Sequence, residues 1–350
     1  MNKTLITADS TCFIPPELIS EEVPVIQAEI KTNSGSFREN YEITSENILE
    51  YAMRERKVPE TVCPSVEDYT LFFEQQLKKA SCICHLCCCA NIRSSYANAK
   101  KAAESFKNVY VADSLQIGGG MLFQIAQAVK LASEGFSPEF IIKSIDELDK
   151  HINSTYASKN ASWVGYLNLT SKNLSAALDL LQIAPTITIR HGAVISGAVF
   201  KNGHEYSERY IRKMLKGKKN IDRSILIISC PKPFIRDIEK YKKEVRKYVS
   251  FEKIVFTNIP IRYTCRLGDE SLGLHFLPSI MAGSFKVTPP SSLHPSSPDP
   301  DYETARSNEG CVLVDLTRLL AAISRTNPDF FFLLQYILSF LLPTLNELCF

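Results

Sequence analysis

The chain has 350 residues, 45% of them apolar, and its 40 basic and 38 acidic side chains give a net charge of +2. This length fits one large domain or two linked domains with a sizeable core. The near-zero net charge excludes a surface built as a whole for polyanions, so nucleic acid is not an expected partner.

The first predicted element is a strand over residues 4–7, which breaks at Asp9-Ser10-Thr11. The pair Pro15-Pro16 then predicts the opening of a helix. Oxygen-bearing side chains after a first strand lie at the carboxyl edge of an open α/β sheet, where such folds bind ligands. The same residue types also cap ordinary helices, so this turn alone fits both roles.

The order of strand, oxygen-rich turn and helix recurs along the first half of the chain. The later turns are residues 61–65, 92–96 and 113–114, and the helical patterns after them cover 66–80, 97–106 and 121–135. Such an alternation predicts an α/β fold with a parallel sheet.

Five of the eleven cysteines lie between Cys82 and Cys89. The spacing of Cys84, His85 and Cys87 resembles a pair of metal ligands, but no other C-x-x-C pair exists to complete a zinc site. The run is apolar on both faces, which favours a buried parallel strand in which cysteine packs as a small hydrophobe. We therefore expect no metal and no other cofactor.

The cysteines also bear on the cellular compartment. A disulfide framework rarely accompanies so long a secreted chain. The first residues, 1–4, run directly into the predicted strand without the pattern of a signal peptide. Together these features predict a reducing, cytoplasmic environment.

The second half predicts a smaller α/β unit with a hairpin. Residues 137–153 have the spacing of an amphipathic helix. The further predicted elements are a strand (161–169), a helix (173–183), a hairpin (185–189 with 193–200), a helix (206–215), a strand (224–230), a helix (233–248) and a strand (253–259).

The order of these motifs resembles the DegV family of bacterial fatty-acid-binding proteins over about residues 3–277. The family's D-S-T start, T-S-x-P-S turn, L-S-G-T-Y turn, I-D-S turn and late H-T-G-P-G segment correspond to residues 9–11, 61–65, 92–96, 112–114 and 266–270. Its G-G-R-I segment is replaced by residues 170–173, which contain no glycine. The resemblance implies a two-lobed architecture: a parallel-sheet unit at 3–155 with the head-group turns, and an α/β unit at 156–278 that closes a lipid cleft.

The resemblance also implies a head-group site. In the family, the threonine of T-S-x-P-S, the serine of L-S-G-T-Y and the late histidine hold the carboxylate. The matching residues are Thr61, Arg93 and Arg266, and a one-residue shift makes Ser94 the second. The turns expected to line the pocket contribute Asp9, Ser10, Thr11, Ser65, Asp113 and Ser114.

Two orientations of the arginines remain open. Both side chains can point to solvent. If they point inward, two guanidinium groups make the clamp permanently cationic, unlike a neutral histidine. The ligand is then a carboxylate or a more highly charged head such as an acyl phosphate.

A basic stretch over residues 209–219 is the predicted surface for a partner. Its cations either form a solvated face or dock an acidic protein, which by the resemblance is an acyl kinase subunit. The residues assigned to this contact are Arg209, Arg212, Lys213 and Lys216. Tyr210 is the single aromatic residue in this stretch, which therefore lacks the series of aromatic side chains that a base-stacking platform requires.

The end of the chain departs from the family. Residues 279–311 are rich in Pro and Ser and predict a flexible linker, and 312–350 predict an apolar helical tail. The thirteen-residue apolar run 330–342 is shorter than the roughly 20 residues that span a bilayer. It fits a buried or partner-seeking helix, an interfacial helix in contact with a membrane surface, or a frameshifted end.

These features favour a non-catalytic carrier of a long-chain fatty acid or a related anionic acyl lipid. A triad of Ser10, His85 and Asp113 can be imagined, but the chain has no G-x-S-x-G elbow and no intact nucleotide-binding motif. The alternative is a divergent interaction protein, or a small-anion-binding protein that has lost ordinary fatty-acid binding.

Overall fold

A computed structural model of the protein describes residues 4–55, 57–90, 94–159, 178–201, 203, 205–232 and 235–279. The described strands are β1 Thr4–Asp9, β2 Val25–Ile26, β3 Glu29–Thr32, β4 Gly35–Arg38, β5 Glu60–Val62, β6 Cys82–Cys87, β7 Val109–Asp113, β8 Asn153–Ala157, β9 Ile183–Arg190, β10 Ala193–Lys201, β11 Ile225–Cys230, β12 Lys253–Asn258 and β13 Leu272–Phe276. The described helices are α1 Ser45–Glu55, α2 Val66–Leu77, α3 Ser95–Ala103, α4 Gly119–Ser133, α5 Pro138–Asp149, α6 Tyr206–Leu215, α7 Ile235–Arg246 and α8 Ile261–Leu267.

The first sheet has the order β2-β1-β6-β7, and all of its neighbouring strands are parallel. Along β6, Ile83 and Cys87 pack against α2 and α3, whereas Cys84 and Leu86 pack against α4 and α5. Both faces of the strand are therefore dry, which explains its continuous apolar run. The predicted parallel sheet and the buried cysteine strand are confirmed.

The second sheet has the order β10-β9-β8-β13-β11-β12. Its β11–β12 pair is parallel, and its other neighbouring pairs are antiparallel. Helices α6 and α7 cover one face through Tyr210, Leu215 and Val245. The predicted hairpin is confirmed as β9–β10, whereas the predicted boundary at residue 155 falls inside β8, a strand of this second sheet.

Helix α4 lies between the two sheets. It contributes side chains to one continuous cluster that contains residues of both sheets: Met121, Leu122 and Ile125 from the helix, Ile6 and Leu86 from the first sheet, and Ile227 and Val255 from the second. The two units therefore share a core.

A third, small sheet of order β4-β3-β5 is antiparallel throughout. Helices α1 and α8 pack on it through a buried cluster that includes Ile30, Ile48, Ile261 and Cys265. Sequence analysis assigned no elements to residues 25–55. The strands there have four residues or fewer and give too short a pattern to recognise, but the eleven-residue helix α1 was overlooked.

Two local predictions are wrong. Pro15 opens a turn instead of a helix, with the N–H groups of Leu18 and Ile19 donating to its carbonyl. Thr61 lies in strand β5, not in a turn. The predicted helix over 206–215 is confirmed as α6, which ends at Leu215 because Lys216 adopts an extended backbone conformation, so the lysines at 216–219 follow the helix. The predicted strand at 161–169 and the tail from residue 280 lie outside the described residues.

Candidate functional site

Three parallel strands of the first sheet end at the same edge. Strand β1 ends at Asp9, β6 at Cys87 and β7 at Asp113. Because these strands are parallel neighbours, the turns that follow them lie side by side. The predicted turns 9–11 and 113–114 thus flank the segment that follows β6.

Both carboxylate oxygens of Asp9 form hydrogen bonds within the protein at this edge of the sheet. Its Oδ1 accepts the Tyr69 hydroxyl at 2.6 Å and lies 3.2 Å from Nε2 of His85, and its Oδ2 accepts the Cys88 N–H at 2.8 Å. Burial opposes the charge, but the hydrogen bonds from His85, Tyr69 and the Cys88 amide lower the pKa of Asp9 below its ordinary value. The carboxylate thereby ties β1 to α2 and to the end of β6.

Asp9, His85 and Cys87 have potential metal-ligand atoms within 4.8 Å of one another. The second ring nitrogen of His85 is already engaged, with Nδ1 2.8 Å from the Thr7 hydroxyl. Burial raises the pKa of the Cys87 thiol well above its ordinary value, and it is the thiolate that binds metals. Hydrogen bonds within the protein thus engage Asp9 and both ring nitrogens of His85.

A second buried network contains an ion pair. Nε of Arg262 donates to Oε2 of Glu39 at 2.7 Å, and Nη2 donates to the same oxygen and to the Ser10 hydroxyl, the latter at 2.9 Å. Oε1 of Glu39 accepts the backbone N–H of Arg262 at 3.0 Å, in the first turn of α8. The Ser10 hydroxyl donates to Oε2 of Glu39 at 2.9 Å and accepts the N–H of Ala28 at 3.0 Å.

Both charges of this pair are removed from water, with Arg262 1% and Glu39 0% exposed. Burial disfavours the charge of Arg262, but the carboxylate of Glu39 raises the pKa of the guanidinium well above its ordinary value. A buried pair of this kind offsets the cost of its desolvation best when its remaining donors and acceptors are also satisfied. One is not, because Nη1 of Arg262 is buried without a hydrogen-bond partner.

Thr61 presents a second unpartnered group. It pairs with Ile30 across the small sheet, and directly opposed residues project from the same face. Ile30 packs with Ile261 and Cys265 of α8 on that face. Oγ1 of Thr61 is buried there without a partner, a state that costs about 1–3 kcal/mol for an unmet polar group.

Cys88 lies where the two units meet. Its thiol is 3.4 Å from the Tyr263 hydroxyl of α8, and the neighbouring Cys89 thiol donates to the Gly192 carbonyl in the β9–β10 turn at 3.1 Å. Burial raises the pKa of Cys88 to about 12. A thiol that stays protonated at neutral pH is a packing group and not a nucleophile.

The other predicted head-group residues occupy separate elements. Ser94 is exposed at the start of α3, and its hydroxyl makes no capping hydrogen bond. Arg266 is half-buried in the last turn of α8, where Nη1 donates to the Arg262 carbonyl at 2.5 Å. Arg93 lies outside the described residues. The convergence of these side chains on one head group stays a prediction.

The remaining predicted pocket-lining side chains bond within the protein, and their role in a pocket also stays a prediction. The contacts are a donation from Thr11 to Sδ of Met121, the capping of α2 by Ser65, the acceptance of the Ala90 and Leu115 amides by Asp113, and an exchange of hydrogen bonds between Ser114 and the Gln116 backbone.

Sequence reasoning missed Arg262 and Glu39. The signal for Arg262 is faint: Pro260 before it is typical of a helix start, and Arg266 follows at the spacing of one helical turn. Glu39 gives no local signal, because its partner is 223 residues away in the chain.

The predicted partner surface lies on the second unit. A groove of about 380 Å³ separates α6 from α7 and is lined by Glu205, Glu208, Arg209, Arg212, Lys240, Lys243, Glu244, Lys247 and Tyr248. Arg209 pairs with Glu205 at 3.7 Å, whereas Arg212, Lys213 and Lys216 are exposed. Cationic side chains therefore outnumber carboxylates along the groove between α6 and α7.

Within the described part of the chain, no helix combines the length and apolar character needed to cross a bilayer. The apolar run at 330–342 lies outside that part.

Comparison with known families identifies one match. A family model described as an uncharacterised protein of the DegV family matches residues 3–279. A DegV domain-containing protein of Halalkalibacterium halodurans is 22% identical over 284 residues, which cover 78% of this chain and 98% of the relative. Another from Staphylococcus aureus strain COL is 26% identical over 200 residues, which cover 55% of this chain and 69% of the relative.

Solved structures share the fold. A fatty-acid-binding DegV family protein from Thermus thermophilus aligns with a TM-score of 0.67 at 19% identity, over 79% of this chain and 99% of that chain. The B3 protein of the Streptococcus pneumoniae fatty acid kinase, loaded with linoleic acid, aligns with a TM-score of 0.66 at 15% identity, over 79% and 99%. The predicted two-lobed α/β architecture is confirmed by this likeness.

Proposed function

The chain belongs to the DegV family, and on this premise we propose that it binds a long-chain fatty acid or a related anionic acyl lipid as a non-catalytic carrier. Family members of known structure bind fatty acids, among them the proteins from Thermus thermophilus and Bacillus subtilis. The observation that carries the proposal in this chain is the unpartnered, buried hydroxyl of Thr61, at the position where the family holds the carboxylate.

The two parts of such a ligand make different demands. Each buried methylene contributes about 0.8 kcal/mol, so the acyl chain supplies most of the affinity. The head group needs a few fixed donors that set its orientation. Thr61 offers one such donor from a strand, and strands hold side chains more rigidly than loops.

A pair of Thr61 variants tests the proposal. Thr61→Val keeps the shape and removes the hydroxyl, and we expect the affinity of the delipidated protein for oleic acid to fall about tenfold because a hydrogen bond to a charged group is lost. Thr61→Ser should retain most of the affinity. Thr70→Val is the matched control, since the Thr70 hydroxyl donates to Val66 within its own helix. Equal affinities for oleic acid in the wild type and Thr61→Val would exclude this role.

A carrier of this kind needs an acceptor for its cargo. The structural neighbour from the pneumococcal fatty acid kinase supports a kinase subunit as the partner of this chain as well. We assign the contact to Arg209, Arg212, Lys213 and Lys216, because three of these four cations are exposed and an acidic surface would complement them.

Charge reversal tests the partner contact. In cells that co-express the kinase subunit, the double variant R212E/K213E should lower the rate of acyl phosphorylation at least tenfold, because like charges across an interface cost several kcal/mol. The control is Lys143→Glu on α5, an exposed cation of the other unit. An unchanged rate in the double variant would rule out this docking face.

A further inference from the structure

The unpartnered polar atoms in the described part of the chain share a pattern. Six buried side-chain atoms lack a hydrogen-bond partner there, and four of them are amide oxygens of glutamine. The other two, Oγ1 of Thr61 and Nη1 of Arg262, are the ones that can donate. Both belong to elements of one layer, since Thr61 faces the same side of the small sheet as Ile30, and Ile30 packs on α8, which carries Arg262.

The guanidinium of Arg262 is held in one orientation. Glu39 occupies the edge formed by Nε and Nη2, and Ser10 accepts a second bond from Nη2. In a planar guanidinium, Nη1 lies on the other side from that edge and projects its hydrogens away from the carboxylate. The ion pair therefore fixes the orientation of the guanidinium and leaves the N–H groups of Nη1 available to donate hydrogen bonds.

We propose that Nη1 of Arg262 and Oγ1 of Thr61 together donate to the head-group oxygen of the acyl ligand, with Glu39 and Ser10 as positioning residues. This rests on the proposed acyl-binding function and adds a head-group residue that the family resemblance does not supply. The ligand is an acyl compound whose head presents a hydrogen-bond-accepting oxygen to two buried donors.

The pairing with Glu39 also decides what the site selects. The positive charge of Arg262 is already balanced by a carboxylate that touches it, so the head group meets a strong donor and not a net positive charge. A carboxylate accepts such a bond more strongly than a hydroxyl does, because charge-assisted hydrogen bonds are about twice as strong as neutral ones. The protein should therefore bind a fatty acid more tightly than the fatty alcohol of the same acyl length, because the acid accepts the stronger hydrogen bond.

The test compares two variants that both lack the Glu39 charge. Removing Arg262 alone would leave a buried carboxylate near the ligand, so Glu39→Gln is the reference and E39Q/R262M is the variant. The glutamine introduced in both retains an oxygen for the backbone N–H at residue 262. Dissociation constants for oleic acid and for oleyl alcohol are measured on the full delipidated chain, and thermal melts report folding.

We expect the double variant to bind oleic acid about 10- to 100-fold more weakly than Glu39→Gln, the loss of one hydrogen bond to a charged group. For oleyl alcohol we expect a loss of less than about tenfold, the range of a neutral bond. The exposed Arg223→Gln is the arginine control and should bind both probes as the wild type does.

Three results would overturn the proposal. Equal affinities for oleic acid in Glu39→Gln and in the double variant would show that Arg262 does not bind the head group, and would leave the proposed acyl-binding function intact. A wild-type protein that binds no oleic acid would contradict both the role of Arg262 and the acyl-binding function. If the double variant does not fold, Arg262→Lys decides: its ammonium keeps a positive charge beside Glu39 but supplies no nitrogen at the Nη1 position, so oleic acid should bind about tenfold more weakly than to the wild type, and equal affinity contradicts the assignment.

Discussion

Gly119, the first residue of α4, lies so close to His275 of β13 that a Cβ at position 119 would come within 2.2 Å of Cδ2 of the imidazole. The ring has no room to move, because Ser154 lies 2.9 Å from its Nδ1 and Ser229 lies 2.9 Å from its Nε2. Both serines belong to the second sheet. This contact is where the helix of the first unit meets the strands of the second.

The first prediction concerns this contact. Gly119→Ala should lower the free energy of unfolding by about 1–3 kcal/mol, the usual cost of forcing a methyl group into a packed core. Urea denaturation followed by circular dichroism measures the effect. In a His275→Ala background, the same substitution should cost far less, because the methyl group then has space. A cost that is equal in both backgrounds would contradict the packing described here.

The second prediction concerns pH. Burial lowers the pKa of His275 to about 3, whereas the unfolded chain binds this proton below about pH 6.5. Unfolding therefore takes up a proton between these values, and stability is lost as the pH falls. Between pH 7 and pH 5 the loss from this residue is about 2 kcal/mol, at 1.36 kcal/mol for each pH unit below 6.5.

His275→Gln isolates this contribution, because glutamine can bond to both serines without titrating. The variant should lose about 2 kcal/mol less than the wild type between pH 7 and pH 5. Asp9 does not interfere, since its lowered pKa affects stability only below about pH 4. Burial raises the pKa of Asp149, which acts in the opposite direction and is present in both proteins. Identical pH dependence in the two would refute the assignment.

The third prediction concerns the buried ion pair. Glu39→Ala leaves the guanidinium of Arg262 buried and uncompensated, and should lower the free energy of unfolding by about 3–5 kcal/mol. Arg38→Ala is the matched control one residue away. Arg38 is exposed and pairs with Glu42 at 2.9 Å, and exposed pairs contribute little. Similar melting temperatures for Glu39→Ala and Arg38→Ala would mean that the pair is not buried in solution.

The elements that could be predicted from the sequence are those whose pattern lies within one short segment of the chain. The strand at Cys82–Cys87 could be predicted from its continuous apolar run and the helix at Tyr206–Leu215 from its apolar periodicity, because each pattern lies within one segment. Strand β13 was missed because Gly273 and His275 interrupt its five residues, so its sequence shows no continuous apolar run. The strands of the small sheet are shorter still.

The candidate site was harder to predict than the fold. Thr61 could be singled out by its place in an ordered set of motifs. Glu39 and Arg262 could not, because their meaning depends on a contact between distant segments that only the folded chain makes. Ser10 was singled out for its position after the first strand, but its hydroxyl bonds to that ion pair.

The most direct test of the account is native mass spectrometry of the full chain purified from bacterial cells without detergent. We predict an added mass equal to one long-chain fatty acid, which disappears after organic extraction and returns when oleic acid is supplied. A protein that carries only a small inorganic anion, or no ligand before or after oleic acid is added, would contradict the acyl-carrier function.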